Sequence, residues 1–215
     1  QANASSGVGV DTRAIKKTIY EVLIGEINIE EALITTEFEN LSVLPANQNL
    51  VGAEIELVLA QKREFKLKEV LTKTNSFDYV VIDCPPSLGI LTLNAIVSAR
   101  LLLVPLQCEY YSLEGLGHLI KTIKIVKREL NPKLEIIGIL LTMFDGRNNL
   151  AKNVYDEILK HFGDKVFKSI IPRNVRLSEA PSYGMPIYRF DPSSKGSISY
   201  KQFVDEFLER SALYE

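Results

Sequence analysis

The sequence predicts an α/β fold: a doubly wound, mostly parallel sheet with helices on both faces. Two observations carry that expectation. The runs Tyr79–Ile82, Leu101–Leu106 and Ile136–Thr142 are almost wholly apolar, the pattern of strands buried on both faces. Segments of helical periodicity separate them and the further strand Val166–Ile171, so right-handed crossovers join parallel neighbours.

Taken in order, Gln1–Asp11 is small and polar and reads as a loop. Asp11 is placed to cap a helix running to about Gly25, with Ile15, Ile19, Val22 and Leu23 on one face. Ile29–Leu33 supplies one or two further turns, and Leu41–Leu44 a short strand closed by Pro45-Ala46-Asn47. Leu50 to about Lys73 is helical with a break near Lys62–Glu64. The strand Phe77–Asp83 stops where Pro85-Pro86 withdraws two N–H donors. Leu88–Ser98 follows as a helix and Leu101–Leu106 as a buried strand. Ser112 opens a long helix to about Leu130, its apolar face formed by Leu116, Leu119, Ile120, Ile123 and Val126, with Gly115 expected at a close packing contact. Strand Ile136–Thr142, helix Asn148–Phe162 and strand Val166–Ile171 come next. Pro172–Pro192 is irregular with one helical turn, and Ser197–Ser211 closes the chain as a helix.

Composition is that of an ordinary globular protein: 215 residues, 46% hydrophobic, formal net charge −2. The near-neutral balance excludes a uniformly basic nucleic-acid binder but not a local patch. Cys84 and Cys108 lack metal-ligand spacing, so reduced cytosolic thiols are expected, with Cys84 as a small buried one. No apolar run is long enough to span a bilayer. His118 and His161 stand alone on helices and are assigned no chemistry.

Asp83 ends a predicted central strand, at the crevice where open α/β sheets bind ligands. A carboxylate there can hold a nucleotide's magnesium, directly or through water. Thr142-Met143-Phe144-Asp145 and Pro172-Arg173-Asn174 end two other strands. Lys160, Lys165, Lys168, Arg173, Arg176, Arg189 and Lys195 concentrate positive charge late in the chain, as a phosphate-backbone contact needs. A solvated face has the same composition. No segment matches G-x-x-x-x-G-K-[ST]; Ser5-Ser6-Gly7-Val8-Gly9 has glycines but no lysine after them.

Asp83-Cys84-Pro85-Pro86-Ser87-Leu88-Gly89 resembles the Walker-B block of the deviant-Walker ATPases, in the ParA/Soj partition branch of the MinD/ParA superfamily. Pro172–Ser182, read PRNVRLSEAPS, matches that branch nearly throughout, and Gln107–Gly115 resembles a segment near its dimer face. The resemblance implies a P-loop NTPase-like fold that binds ATP and magnesium in the cytoplasm. It implies a homodimer that binds nonspecific double-stranded DNA on the nucleoid, with hydrolysis stimulated by a ParB-like partner. By the same resemblance Asp83 serves the metal, and Thr142, Met143, Pro172, Arg173 and Asn174 lie at the nucleotide. Arg176, Arg189 and Lys195 contact DNA. Gln1–Ser5 looks like the tail of a D-x-D-P-Q motif, so the phosphate-binding loop and catalytic Asp are expected upstream of Gln1. Residues 1–215 then form a single ATPase domain without its N-terminal strand, P-loop and first helix.

Two alternatives stand beside this one. Without a phosphate loop, the same residues describe a module that binds DNA or a partner without hydrolysing triphosphate. A MinD-like membrane-cycling ATPase is disfavoured, because Phe203–Glu215 sets Asp205, Glu206, Glu209 and Glu215 against Arg210 alone.

Overall fold

The computed structural model describes residues 2–74 and 76–214. The chain forms two compact units. One takes in the residues up to Ala99 together with Pro181–Pro186, the other Arg100–Ala180 and the chain from Ile187 onward.

The first unit is mainly helical: α1 (Asn3–Gly7), α2 (Ile19–Ile24), α3 (Ile29–Ala32), the two-residue hairpin strands β1 (Ile34–Thr35) and β2 (Ser42–Val43), then α4 (Leu50–Glu56), α5 (Lys66–Leu71) and α6 (Ile90–Ser98). Helix α2 does not begin at Asp11. Thr18 caps it in a reciprocal box with Glu21, whose carboxylate accepts the Thr18 N–H at 2.8 Å. The Asp11 carboxylate instead accepts from the Arg13 N–H at 3.0 Å, closing a local turn. Gly25 ends α2 at φ +84°, as expected of a glycine C-cap. The predicted break in the next helix is also present, with Lys62 at φ +50° between α4 and α5. Among the described residues, apolar clusters form around Val22, Ile29 and Ala32 and around Leu23, Leu67 and Ala95. Asn94 of α6 is fully buried. Its carbonyl accepts the Leu67 N–H at 3.1 Å, and its amide donates to Arg63 O at 2.8 Å and Ile90 O at 2.9 Å.

The predicted strand Phe77–Asp83 is not one. Its residues join no sheet among the described residues. Tyr79, Val80 and Val81 are 51%, 53% and 91% exposed, while Ile82 packs against the Leu23–Leu67–Ala95 cluster. The physical reason is that β-rich composition does not supply a ladder. A strand exists only where a neighbour accepts from its N–H groups and donates to its C=O groups.

The second unit carries the sheet. Strands β3 (Leu101–Gln107), β4 (Glu135–Phe144) and β5 (Val166–Pro172) lie in the order β3-β4-β5, all parallel. Helices α7 (Tyr110–Glu129), α8 (Asn149–Phe162), α9 (Val175–Glu179), α10 (Ile187–Phe190) and α11 (Lys195–Ser211) complete it. One face of the sheet offers Val104, Leu106, Ile139, Leu141 and Val166 to Leu116 of α7 and to Val154 and Ile158 of α8. The other offers Ile137, Leu140, Phe167 and Ile171 to Phe203 and Phe207 of α11. Helices therefore cover both faces, as the alternation predicted. At Gly138 an added β-carbon would lie 2.5 Å from the Phe167 ring and 2.8 Å from Lys165 O, so only glycine fits.

Three helix details differ from expectation. Helix α7 begins at Tyr110 after Glu109, with no side-chain cap, so Ser112 sits inside it. A β-carbon at Gly115 would meet nothing within 4 Å, so no close packing requires that glycine. Helix α11 starts earlier than Ser197, because the Ser194 hydroxyl accepts the Ser197 N–H at 3.1 Å.

Replacing Asn94 with Ala removes three hydrogen bonds and strands a buried N–H and a buried C=O. Urea unfolding should show a loss of about 2–4 kcal/mol.

Candidate functional site

Parallel pairing brings the C-terminal ends of β4 and β5 side by side, with Phe144 opposite Pro172. The Arg173 N–H donates to Phe144 O at 3.1 Å, extending the pairing by one bond beyond the strand. Thr142, Met143, Pro172, Arg173 and Asn174 are thus gathered at one edge of the sheet, and Gln107 of β3 lies opposite Thr142. That edge is the ligand-binding end of open α/β sheets.

The register there is irregular in a specific way. Between Ile139↔Val166 and Leu141↔Ile170 the pairing advances two residues on β4 and four on β5. Between Leu141↔Ile170 and Phe144↔Pro172 it advances three on β4 and two on β5. Extra residues on β5 are therefore partly compensated by one on β4. Met143 falls within the second irregularity at φ +51°, in the left-handed region that side chains other than glycine seldom adopt. Strained backbone of this kind gathers at ligand-binding sites. Nothing in the residue type of Met143 announces it, and no sequence signal could have found it.

The polar groups at this edge are mostly unengaged. The Thr142 hydroxyl makes no hydrogen bond among the described residues. Asn174 caps α9, its carbonyl accepting the Arg176 N–H at 2.9 Å, while its amide nitrogen donates to nothing described. An amide and a hydroxyl are each able to hydrogen-bond the edge of a planar heterocycle. Asp145 behaves differently. It takes the Arg147 guanidinium in two bonds, at 2.9 and 2.7 Å, and the Arg147 N–H at 3.1 Å. The Arg147 side-chain bond, then its N–H bond, hold the Asp145 carboxyl well below the usual carboxylate range, with help from Arg173. The same carboxylate raises the Arg147 guanidinium. This clamp fixes the turn after β4, where the sequence showed only the end of a strand.

Asp83 belongs to the first unit. Its carboxylate is exposed and has no hydrogen bond or ion pair among the described residues. The turn behind it is anchored by Thr92 of α6, whose hydroxyl donates to Ser87 O at 2.5 Å. Cys84 is exposed, not the buried thiol expected. Cys108 is buried, and its desolvated thiol is pushed up to about 11. No cluster of three or more His, Cys, Asp or Glu side chains among the described residues could hold a metal ion. A lone open carboxylate still suits magnesium, which keeps several waters and takes one or two protein carboxylates beside substrate phosphates.

Of the three predicted DNA contacts, Arg189 and Lys195 are exposed and form no ion pair among the described residues. Arg176 is bound to Glu179 at 2.8 Å and Asp191 at 3.2 Å, over the Phe190 ring. It joins the ends of the segment linking β5 to α11.

Comparison with known proteins places this geometry among relatives. The family described as an AAA domain matches residues 1–136. The chain is 51% identical to the chromosome partitioning protein ParA of Myxococcus xanthus, over 98% of this chain and 75% of that protein. It is 47% identical to the sporulation initiation inhibitor protein Soj of Bacillus subtilis, over 96% of this chain and 82% of that protein. Among solved structures, cobyrinic acid a,c-diamide synthase from Mycobacterium smegmatis, with bound ATP analog and magnesium, superposes with a TM-score of 0.81. It is 35% identical over 95% of this chain and 77% of the other. No described helix is long and apolar enough to cross a membrane.

Two outcomes test the local geometry. Met143→Ile, β-branched at a left-handed position, should lower stability by about 1–2 kcal/mol in urea, with Met143→Gly well tolerated. Because the folded Asp145 pKa is depressed, its contribution is present above the unfolded value and lost as pH falls through the folded one. In carboxyl NMR, Asp145 should stay ionised while other exposed Asp residues protonate, and Arg147→Ala should return it to the ordinary range.

Proposed function

The chain belongs to the ParA/Soj family of partitioning ATPases, and from that premise we propose that it is the nucleotide-switched component of a chromosome- or plasmid-segregation system. The observation that carries the proposal is the convergence of Thr142, Met143, Pro172, Arg173 and Asn174 at the C-terminal edge of a parallel sheet. In this reading the Asn174 amide and the Thr142 hydroxyl contact the base of ATP. Pro172 and Met143 shape the slot, and Arg173 adds positive charge. Asp83 holds magnesium directly or through water. Magnesium, when bound, neutralises charge on the phosphates, and the chain's share of phosphoryl transfer is otherwise positioning. Both compact units serve one ATPase domain spanning residues 1–215.

ATP binding then favours a homodimer, and hydrolysis, stimulated by a ParB-like partner, releases it. The switch is a population shift that requires differential affinity of ATP for the two states. The dimer binds nonspecific double-stranded DNA through Arg189, Lys195 and Arg176, which locates the protein on the nucleoid within the cytoplasm. The exposure of Arg189 and Lys195 supports this assignment.

In the complete gene product, Asp83→Ala should abolish magnesium-dependent ATP turnover, and unchanged turnover would refute the metal role. DNA binding should require ATP, weaken steeply with salt, and fall in Arg176→Ala and Lys195→Ala. Salt-insensitive binding would contradict contacts to the phosphate backbone.

A further inference from the structure

We propose that Glu206, on α11, is a positioning residue that holds the bulge in β5 and so sets the register that brings Pro172–Asn174 beside Thr142–Phe144. The proposal rests on reading those strand ends as the base-contacting site, and it adds the side chain that keeps them aligned.

Among the described residues, strand β5 is paired on one side only, in the order β3-β4-β5. Two successive N–H groups, of Lys168 and Ser169, donate to a side chain of α11. In a regular strand consecutive N–H groups alternate in direction; here they converge because the extra residues of β5 lie between Val166 and Ile170. Glu206 receives both, the Lys168 N–H and the Ser169 N–H each at 2.9 Å, together with the Ser169 hydroxyl at 2.9 Å. A carboxylate is suited to this task, since it accepts on both oxygens and donates on neither.

Arg210, one helical turn on, completes the brace. It bonds Glu206 at 2.7 Å, donates to Asp164 O at 2.9 Å and Val166 O at 2.8 Å, and lies 4.1 Å over the Phe167 ring. The N-terminal half of β5 is thus pinned by two side chains of α11. Without them, the two unmatched N–H groups would favour absorbing the extra residues into the ladder. Pro172 would then no longer stand opposite Phe144, because a slipped register carries every downstream residue with it.

The experiment compares Glu206→Ala and Glu206→Gln with the parent in the full-length protein. It reads amide hydrogen exchange and the ratio of ATP to GTP affinity. Glu206→Ala should raise exchange at Lys168 and Ser169 about tenfold or more and cut the ATP preference about tenfold. Glu206→Gln keeps one acceptor oxygen and should be intermediate in both. Parental exchange at the two amides, or raised exchange with the ATP preference intact, would overturn the proposal. Asn174→Ala separates the two claims. If it leaves the ATP preference unchanged, the base-contact reading fails on its own. Glu206 is then judged by the NMR contact between Phe144 and Pro172: its loss in Glu206→Ala sustains the positioning role, and its survival refutes it. Should Glu206→Ala not fold, Glu206→Gln decides by the same exchange and contact readouts.

Discussion

The pairing of β4 with β5 is the constraint on which the candidate site depends. Neither Thr142 nor Asn174 is unusual in its own segment; each is a polar residue near a strand end. They become a candidate site because a parallel ladder with two offset irregularities ends with Phe144 opposite Pro172. The backbone cost of that ending is visible at Met143, which accepts a left-handed conformation that most side chains avoid. Sub-ångström placement of contact groups requires such stiffness, and here hydrogen bonds from a distant helix help to supply it.

The second unit was legible where every partner of a strand lies within the same stretch of chain. Leu101–Leu106, Ile136–Thr142 and Val166–Ile171 were each found within a few residues, because β3 and β5 each pair with β4 and α7, α8 and α11 cover both faces. Asn148 at the start of α8 was equally plain, its side chain accepting the Leu150 N–H at 2.9 Å. The same composition argument failed for Tyr79–Ile82. Its β-branched residues have the propensity of a buried strand, but no strand among the described residues pairs with them. Propensity is local and pairing is not.

Caps and bulges were harder to read for a related reason. Asp11 and Thr18 are both competent N-caps; Thr18 prevails because Glu21 lies three residues on and completes the box. Ser112 was a plausible cap that the helix overran. The resemblance named candidate site residues by motif, and the structure added what motifs omit: the Asp145–Arg147 clamp, the backbone of Met143 and the brace from Glu206 and Arg210. Glu206 lies 37 residues from Ser169 in sequence. Nothing local to either residue announces the bond.

The most direct test of the site is an NMR titration of the complete gene product with a nonhydrolysable ATP analogue and magnesium. The account predicts that the amides of Thr142, Met143, Arg173 and Asn174 shift together on one binding curve. Shifts confined to residues away from the ends of β4 and β5 would contradict it.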